Sequence, residues 1–296
     1  MNLQTEITEV RSALAEPYRS VVSSTLVTDD DCVRWLTMGE QAAFDAIDDR
    51  ALANMAVDSS SISLSTGAEG MTSGTDATVN WARVLGVYVT KSSLSTRCIL
   101  VSPQEFWNAR KGRYMGAVDQ ELAYATIDFQ TVRVYSQPSV SSAVVRYIPR
   151  PTQRAKFYGG LTTAAGSSTS VVSSGANVYD DSWFVGCNLR MRTGAAASVE
   201  KAVTGFTKAS GTFTVTTLGA TSGNINSFDV GEVSSMPAEC MPAWVAYATY
   251  RGFLKKFPDR AQAALADFER IVNSINSRYA VGTPIRGRAL NELEGK

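Results

Sequence analysis

The feature that most constrains this chain is a helical seam near its C-terminus. In "PDRAQAALADFERIVNSINSRYA", which opens at Pro258, apolar residues fall at Ala261, Leu265, Phe268, Val272, Ile275 and Tyr279, in alternating steps of four and three. That spacing lays one continuous stripe along a helix, and the stripe must be covered by a second helix. The preceding "MPAWVAYATYRGFLKKF" supplies one. Pro242 sits in a first turn, where the missing N–H costs nothing, and Pro258 ends that helix before opening the next. The two segments are expected to fold back on each other as an antiparallel hairpin.

A third helix is predicted over 28–50, in "TDDDCVRWLTMGEQAAFDAIDD". Thr28 is a natural N-cap, and Asp29, Asp30 and Asp31 fall in the first turn, where the helix dipole favours anions. The acidic triplet therefore reads as capping rather than as a metal site. Val33, Leu36, Ala43 and Ile47 recur at helical spacing, widened by Trp35 and Phe44. This stripe matches the hairpin's, so one α core is expected. A shorter helix over Thr5 to Ala15 stops before Pro17.

Between these helices the pattern turns to strands. "SSSISLSTG" and "RVLGVYVTKS" alternate, and "RCILVSPQEFWNARK" reads as a strand followed by a short helix after Pro103. "YATIDFQTVRVYS" and "SAVVRYIPRP" read as two long strands joined at "QPSVS", the first with an irregularity of the bulge kind.

The block from Gly166 to Phe228 is rich in Ser, Thr and Gly. A disordered linker lacks aromatic and β-branched residues. This block has Val171, Val172, Tyr179, Trp183, Phe184, Val203, Phe206, Phe213, Val215 and Phe228 in short runs, separated by "SSGAN", "YDDS", "KASG" and "TSGN". Turn chemistry at such intervals predicts a small all-β module.

Chemical signatures are missing. Histidine is absent, which removes the commonest general base and metal ligand. The four cysteines, Cys32, Cys98, Cys187 and Cys240, lie too far apart for a metal motif and read as buried thiols. No phosphate loop, dinucleotide fingerprint or nucleophile elbow occurs. Asp180 and Asp181 read as turn residues, since adjacent carboxylates in a turn point apart. Arg190 and Arg192 read as the solvated face of a strand, with an intersubunit contact as the alternative. Trp183 and Phe184 read as module core, with a carbohydrate platform as the alternative. Lys plus Arg equals Asp plus Glu at 28 each, unlike a protein that grips phosphates. No apolar run reaches membrane-spanning length, and the N-terminus has no signal-peptide core, so a soluble protein made in the cytoplasm is expected. No catalytic, cofactor-binding or metal residues are assigned, and the chain is expected not to be an enzyme.

The order of parts resembles the head-to-tail adaptor (connector) proteins of tailed bacteriophages. The carriers are "DDDCVRWLTMGEQAAFDAI", the turn from Val101 to Glu105, "VVRYIPRP" and the "MPAW" that starts at Met241. The polar block resembles small β inserts of phage particle proteins. The resemblance implies a structural virion protein, a ring of about twelve subunits beneath the portal. Such a ring extends the DNA channel without sequence-specific binding and docks the tail or stopper. It implies no cofactor and no membrane partner. Its partner-binding residues would lie in the tail, at Ile285, Arg286, Arg288, Leu290 and Leu293. The alternatives are a tail terminator or tail tube, or a glycan-binding surface protein.

The expected fold is therefore α+β. Residues 1–158 hold N-terminal helices and an antiparallel β region, 159–236 an inserted all-β module, 237–281 the helical hairpin packing on the N-terminal helix, and 282–296 an extended tail.

Overall fold

The computed structural model describes residues 3–15, 27–66, 71–75, 81–91, 94–110, 123–128, 130–136 and 140–280. Two helices open the chain, α1 (Leu3–Ala13) and α2 (Asp29–Ala46). The strands β1 (Val57–Asp58), β2 (Ile62–Ser63), β3 (Ser65–Thr66), β4 (Met71–Thr75), β5 (Arg83–Lys91), β6 (Leu94–Arg97) and β7 (Ile99–Leu100) come after them. Next are α3 (Pro103–Arg110), β8 (Ala123–Asp128), β9 (Thr131–Ser136) and β10 (Ser142–Ile148). The polar block carries β11 (Phe157–Leu161), β12 (Ser170–Val172), β13 (Asn188–Met191), β14 (Glu200–Thr207), β15 (Thr212–Val215) and β16 (Ser227–Gly231). The helices α4 (Met241–Lys256) and α5 (Pro258–Ala280) close the described chain, and the fold class is α+β.

The chain divides into two compact units, one of 48–150 and one of 1–47 with 151–296. This differs from the expected grouping of 1–158. The first two helices belong with the chain beyond residue 150, because α1 and α2 bury their stripes against α4. The boundary expected at 158 also falls inside β11, which is paired along its length with β16.

In the unit 48–150, one sheet has the order β1-β10-β5-β6, with β2 also on β10, and the other has the order β3-β4-β9-β8-β7. A single core draws on both: Val87, Val89, Ala143 and Val145 from the first, Ala125, Val132 and Val134 from the second. The stretch 124–136 is not one long strand. β8 and β9 pair antiparallel, with Asp128 opposite Thr131, so the irregularity read there is the turn of a hairpin. A register shift lies between β10 and β5, where Arg146 and Tyr147 pair with Gly86 and Val84 and Leu85 of β5 is the extra residue. β9 and β10 do not pair with each other; each joins a different sheet. Alternating Val residues fix which face is buried but not which edge is met. The helix α3 starts at a capping box: Ser102 Oγ accepts from Glu105 N at 3.2 Å and Glu105 Oε2 accepts from Ser102 N at 2.9 Å.

In the other unit, α2 begins as its sequence dictates. Thr28 Oγ1 accepts from Asp31 N at 3.1 Å, and Asp31 Oδ2 accepts from Thr28 N at 3.0 Å. Its buried stripe, with Trp35, Leu36, Ala43 and Phe44, meets Ala243, Trp244 and Ala248 of α4. The approach is close because Gly39 has no side chain; a Cβ there would lie 2.4 Å from the Trp244 carbonyl oxygen. Tyr279 of α5 bonds Glu239, just before α4, and Phe268 of α5 packs on Tyr247 of α4, so α5 runs back along α4.

The polar block of this unit forms one six-stranded sheet, ordered β11-β16-β13-β14-β15-β12. Its two edges meet, since Thr163 N donates to Val172 O at 2.9 Å just after β11 and a bridge joins Ala164 to Val172. Closure removes the exposed edges that a small sheet otherwise presents. Inside lie Phe184, Phe206, Phe213 and Phe228, with the Tyr158 ring stacked on Phe213 at 6.0 Å. Clustered aromatics give a small module a large buried area per residue.

Candidate functional site

The helical face of the unit 1–47 with 151–296 is organised around a buried charge cluster. Arg154, on the connection into β11, donates from Nη2 to Glu6 Oε2 at 2.7 Å and from Nε to Glu40 Oε2 at 3.0 Å. Trp244 Nε1 donates to the same Glu6 oxygen at 3.0 Å. All three charged side chains are at most 1% exposed. One guanidinium thus ties α1, α2 and the start of β11, and Trp244 adds α4. Two carboxylates face one cation, and burial pushes the Glu40 carboxyl above its ordinary value, against the opposing pull of Arg154 and the Ser234 hydroxyl.

A second ion pair, Arg11 to Asp29 at 2.7 Å, locks the end of α1 to the start of α2. Arg11 also donates to the Val27 carbonyl. Lys255 of α4 reaches Asp31 at 2.8 Å. Partial burial raises the Asp31 carboxyl, but hydrogen bonds from Lys255 and Thr28 outweigh it and leave it below its usual range. The helical layer is therefore cross-tied at the start of α2 and, through Glu40, further along it.

On this layer an open groove of about 530 Å³ runs along α4 between α1 and α5. Val245, Ala246, Thr249 and Phe253 of α4 line it. Ala263, Ala264 and Ile271 of α5 form one wall, and Ala13 of α1 stands on the other. The charged rim consists of Glu9, Arg260, Asp267 and Arg270. Burial, and then the neighbouring Glu6 carboxylate, push the Glu9 carboxyl up. The arrangement has the chemistry of a docking surface, an apolar floor with charges of both signs at its rim.

The residues singled out from sequence fall in several places. The proposed contact residues Ile285, Arg286, Arg288, Leu290 and Leu293 lie outside the described residues. Asp180 and Asp181 sit at an exposed turn, where both bond Lys208, through Nζ at 2.9 Å and through its backbone N at 2.6 Å. Phe184 is fully buried, while Trp183 is 40% exposed, with the Lys156 ammonium 5.5 Å over its ring. Arg190 and Arg192 do not form a solvated face: Arg192 pairs with the buried Asp229, and Arg190 donates to Thr5 of α1. The four cysteines are buried and none is in a disulfide, and burial pushes the thiol of Cys187 up to about 12 and that of Cys240 to about 11. Among the described residues no group of three or more Cys, Asp or Glu is placed to hold a metal ion. No described helix is long and apolar enough to cross a membrane.

Sequence reasoning did not single out Glu6, Glu40, Arg154 or the groove. One signal was available: Glu6 and Glu40 fall among the apolar stripes of their helices, where an acidic residue needs a partner. Arg154 comes after two prolines in a segment read only as an exit from the sheet.

No protein-family model matches this chain, and no curated protein matches it.

Proposed function

We propose that this chain is a head-to-tail adaptor of a tailed bacteriophage, a structural protein of the virion that forms a ring of about twelve subunits beneath the portal. In this reading the ring extends the DNA channel, and its far side docks the tail or stopper. The balanced charge suits a wall past which DNA moves without being gripped. The C-terminal residues Ile285, Arg286, Arg288, Leu290 and Leu293 are the contacts to the portal or to a neighbouring subunit.

The observation that carries the reading is the open apolar groove on a cross-tied helical layer. A monomer gains nothing by leaving such a surface uncovered, and interaction faces are where such patches are found. The order of parts along the sequence supports the same reading. A tail tube is built mainly of strands, whereas here α2, α4 and α5 form a substantial layer. A glycan-binding role would use Trp183 as a platform, but Lys156 already lies over that ring.

The test is the mass of the purified full-length protein at rising concentration, with electron microscopy of the assemblies and of infected-cell particles. Rings of about twelve copies with an axial channel are expected, together with the protein at the neck of tailed particles. A protein that stays monomeric throughout and is missing from purified particles sinks the proposal.

A further inference from the structure

We propose that the groove along α4, between α1 and α5, receives the C-terminal segment 281–296 of a second copy of this chain. The inference rests on the adaptor reading only in that copies meet head to tail. It deepens that reading by naming the surface that captures the tail.

The first support is the order of charges. α1 runs alongside α4 in the same direction, since Glu6 meets Trp244 and Leu14 meets Gly252, and α5 runs opposite. From its Pro242 end, the groove presents Ile271 and Arg270, then Asp267, which bonds Arg270 at 3.1 Å, then Ala264 and finally Arg260 on the α5 wall, with Glu9 on the α1 wall. The tail reads Ile285, Arg286, Arg288, Leu290, Glu292, Leu293 and Glu294. Laid from the same end, with Ile285 beside Ile271, its arginines meet Glu9 and Asp267, the latter shared with Arg270, and its glutamates meet Arg260. Spacing agrees: Asp267 to Arg260 spans about 10 Å of helix, and Arg288 to Glu292 spans about 13 Å of extended chain.

The second support is shape. Ala13, Ala246, Ala263 and Ala264 leave room for a backbone to lie close to the floor, while Val245, Phe253 and Ile271 offer apolar surface to Ile285, Leu290 and Leu293. The reach is ample. The segment spans up to about 50 Å when extended, and the groove runs along α4 from Pro242 to Phe253, about 17 Å.

The third support concerns which copy supplies the tail. The described chain ends at Ala280, where Tyr279 bonds Glu239, beside the Pro242 end of the groove. The rest of the groove lies back along α5, so the chain's own tail would have to reverse to enter it. A tail on one copy and a groove on the next are different patches, as a closed heterologous ring requires.

The experiment uses full-length protein and introduced cysteines, against a background of four buried native thiols. Ala263→Cys protein is mixed with Leu290→Cys protein, oxidised, and read as mass on a non-reducing gel. A covalent heterodimer is expected, and a ladder of multimers from the double variant. Asp267→Lys should lower the yield several-fold, and adding Arg288→Glu to the tail should restore it. A yield no higher than wild type overturns the proposal. So does a double variant that cross-links only within one chain, which would make the occupant the chain's own tail. Ring formation by the wild-type protein is scored separately by microscopy. Rings without the cross-link reject the groove assignment alone, and the cross-link without rings rejects the ring reading alone.

Discussion

The Arg154 guanidinium donates to the Glu6 carboxylate at 2.7 Å, although the two residues stand 148 positions apart in the chain. Removing one partner of such a buried pair leaves an uncompensated charge in the interior, which costs about 3–5 kcal/mol. Arg154→Met is therefore expected to destabilise the fold by that amount and to lower the urea midpoint with little change in slope. A midpoint near that of wild type would show that the cluster is not a tie between the helices.

Glu40 gives the same cluster a pH signature. Its carboxyl is raised by burial, so the folded state holds the proton more tightly than the unfolded chain does. This contribution to stability is fully present below the ordinary glutamate value of about 4.3, and it is lost as pH rises through the higher folded value. Glu40→Gln should flatten stability against pH across that window. Parallel curves for the two proteins, measured by thermal melts at stepped pH, would contradict this.

Gly39 and Gly252 should respond differently to alanine. A Cβ at Gly39 would meet the backbone carbonyl of Trp244 at 2.4 Å, whereas at Gly252 its nearest neighbour is the side-chain tip of Leu14 at 2.5 Å. Backbone cannot step aside without moving α4, and overpacking of this kind costs about 1–3 kcal/mol. Gly39→Ala is expected to be the more damaging change by chemical denaturation. The reverse ranking would argue against the close α2–α4 approach.

Phe268 probes the last two helices. Its ring packs edge-on against Tyr247 at 5.3 Å and is 8% exposed. Phe268→Ala should cost about 3–5 kcal/mol. A variant that melts within a degree or two of wild type would place the residue outside the core.

The thiols offer a readout that needs no substitution. With Cys187 pushed up to about 12 and Cys240 to about 11, neither forms thiolate at neutral pH in the folded protein. Native protein should react slowly with a disulfide reagent, and all four cysteines should react on unfolding. Fast labelling of either thiol in the native state would count against its burial.

The helix starts were legible because their causes are local. Thr28 as N-cap and the prolines at 103, 242 and 258 each act within one turn of chain, and each stands in the first turn, or at the cap, of a helix read there. The same holds for the polar block, where turn residues separate short apolar runs that became β12 to β16. The segments that carry the family resemblance are of this kind too: the turn from Val101 to Glu105 includes a helix cap, and the "MPAW" segment starts a helix and anchors Trp244. They specify fold first.

Pairing was a matter for the tertiary structure. A strand's alternation marks its buried face but carries no address, so 124–136 read as one strand when it was a hairpin, and β10 went to a different sheet from β9. Nor did any local pattern mark Arg154 as the partner of Glu6 and Glu40, or Arg190 as a donor to Thr5. A buried charge is tolerated only where another surface brings it a counter-charge. That surface exists only once distant segments have met, which is why the sequence by itself determined where the helices start, and the fold alone decided what the elements touch.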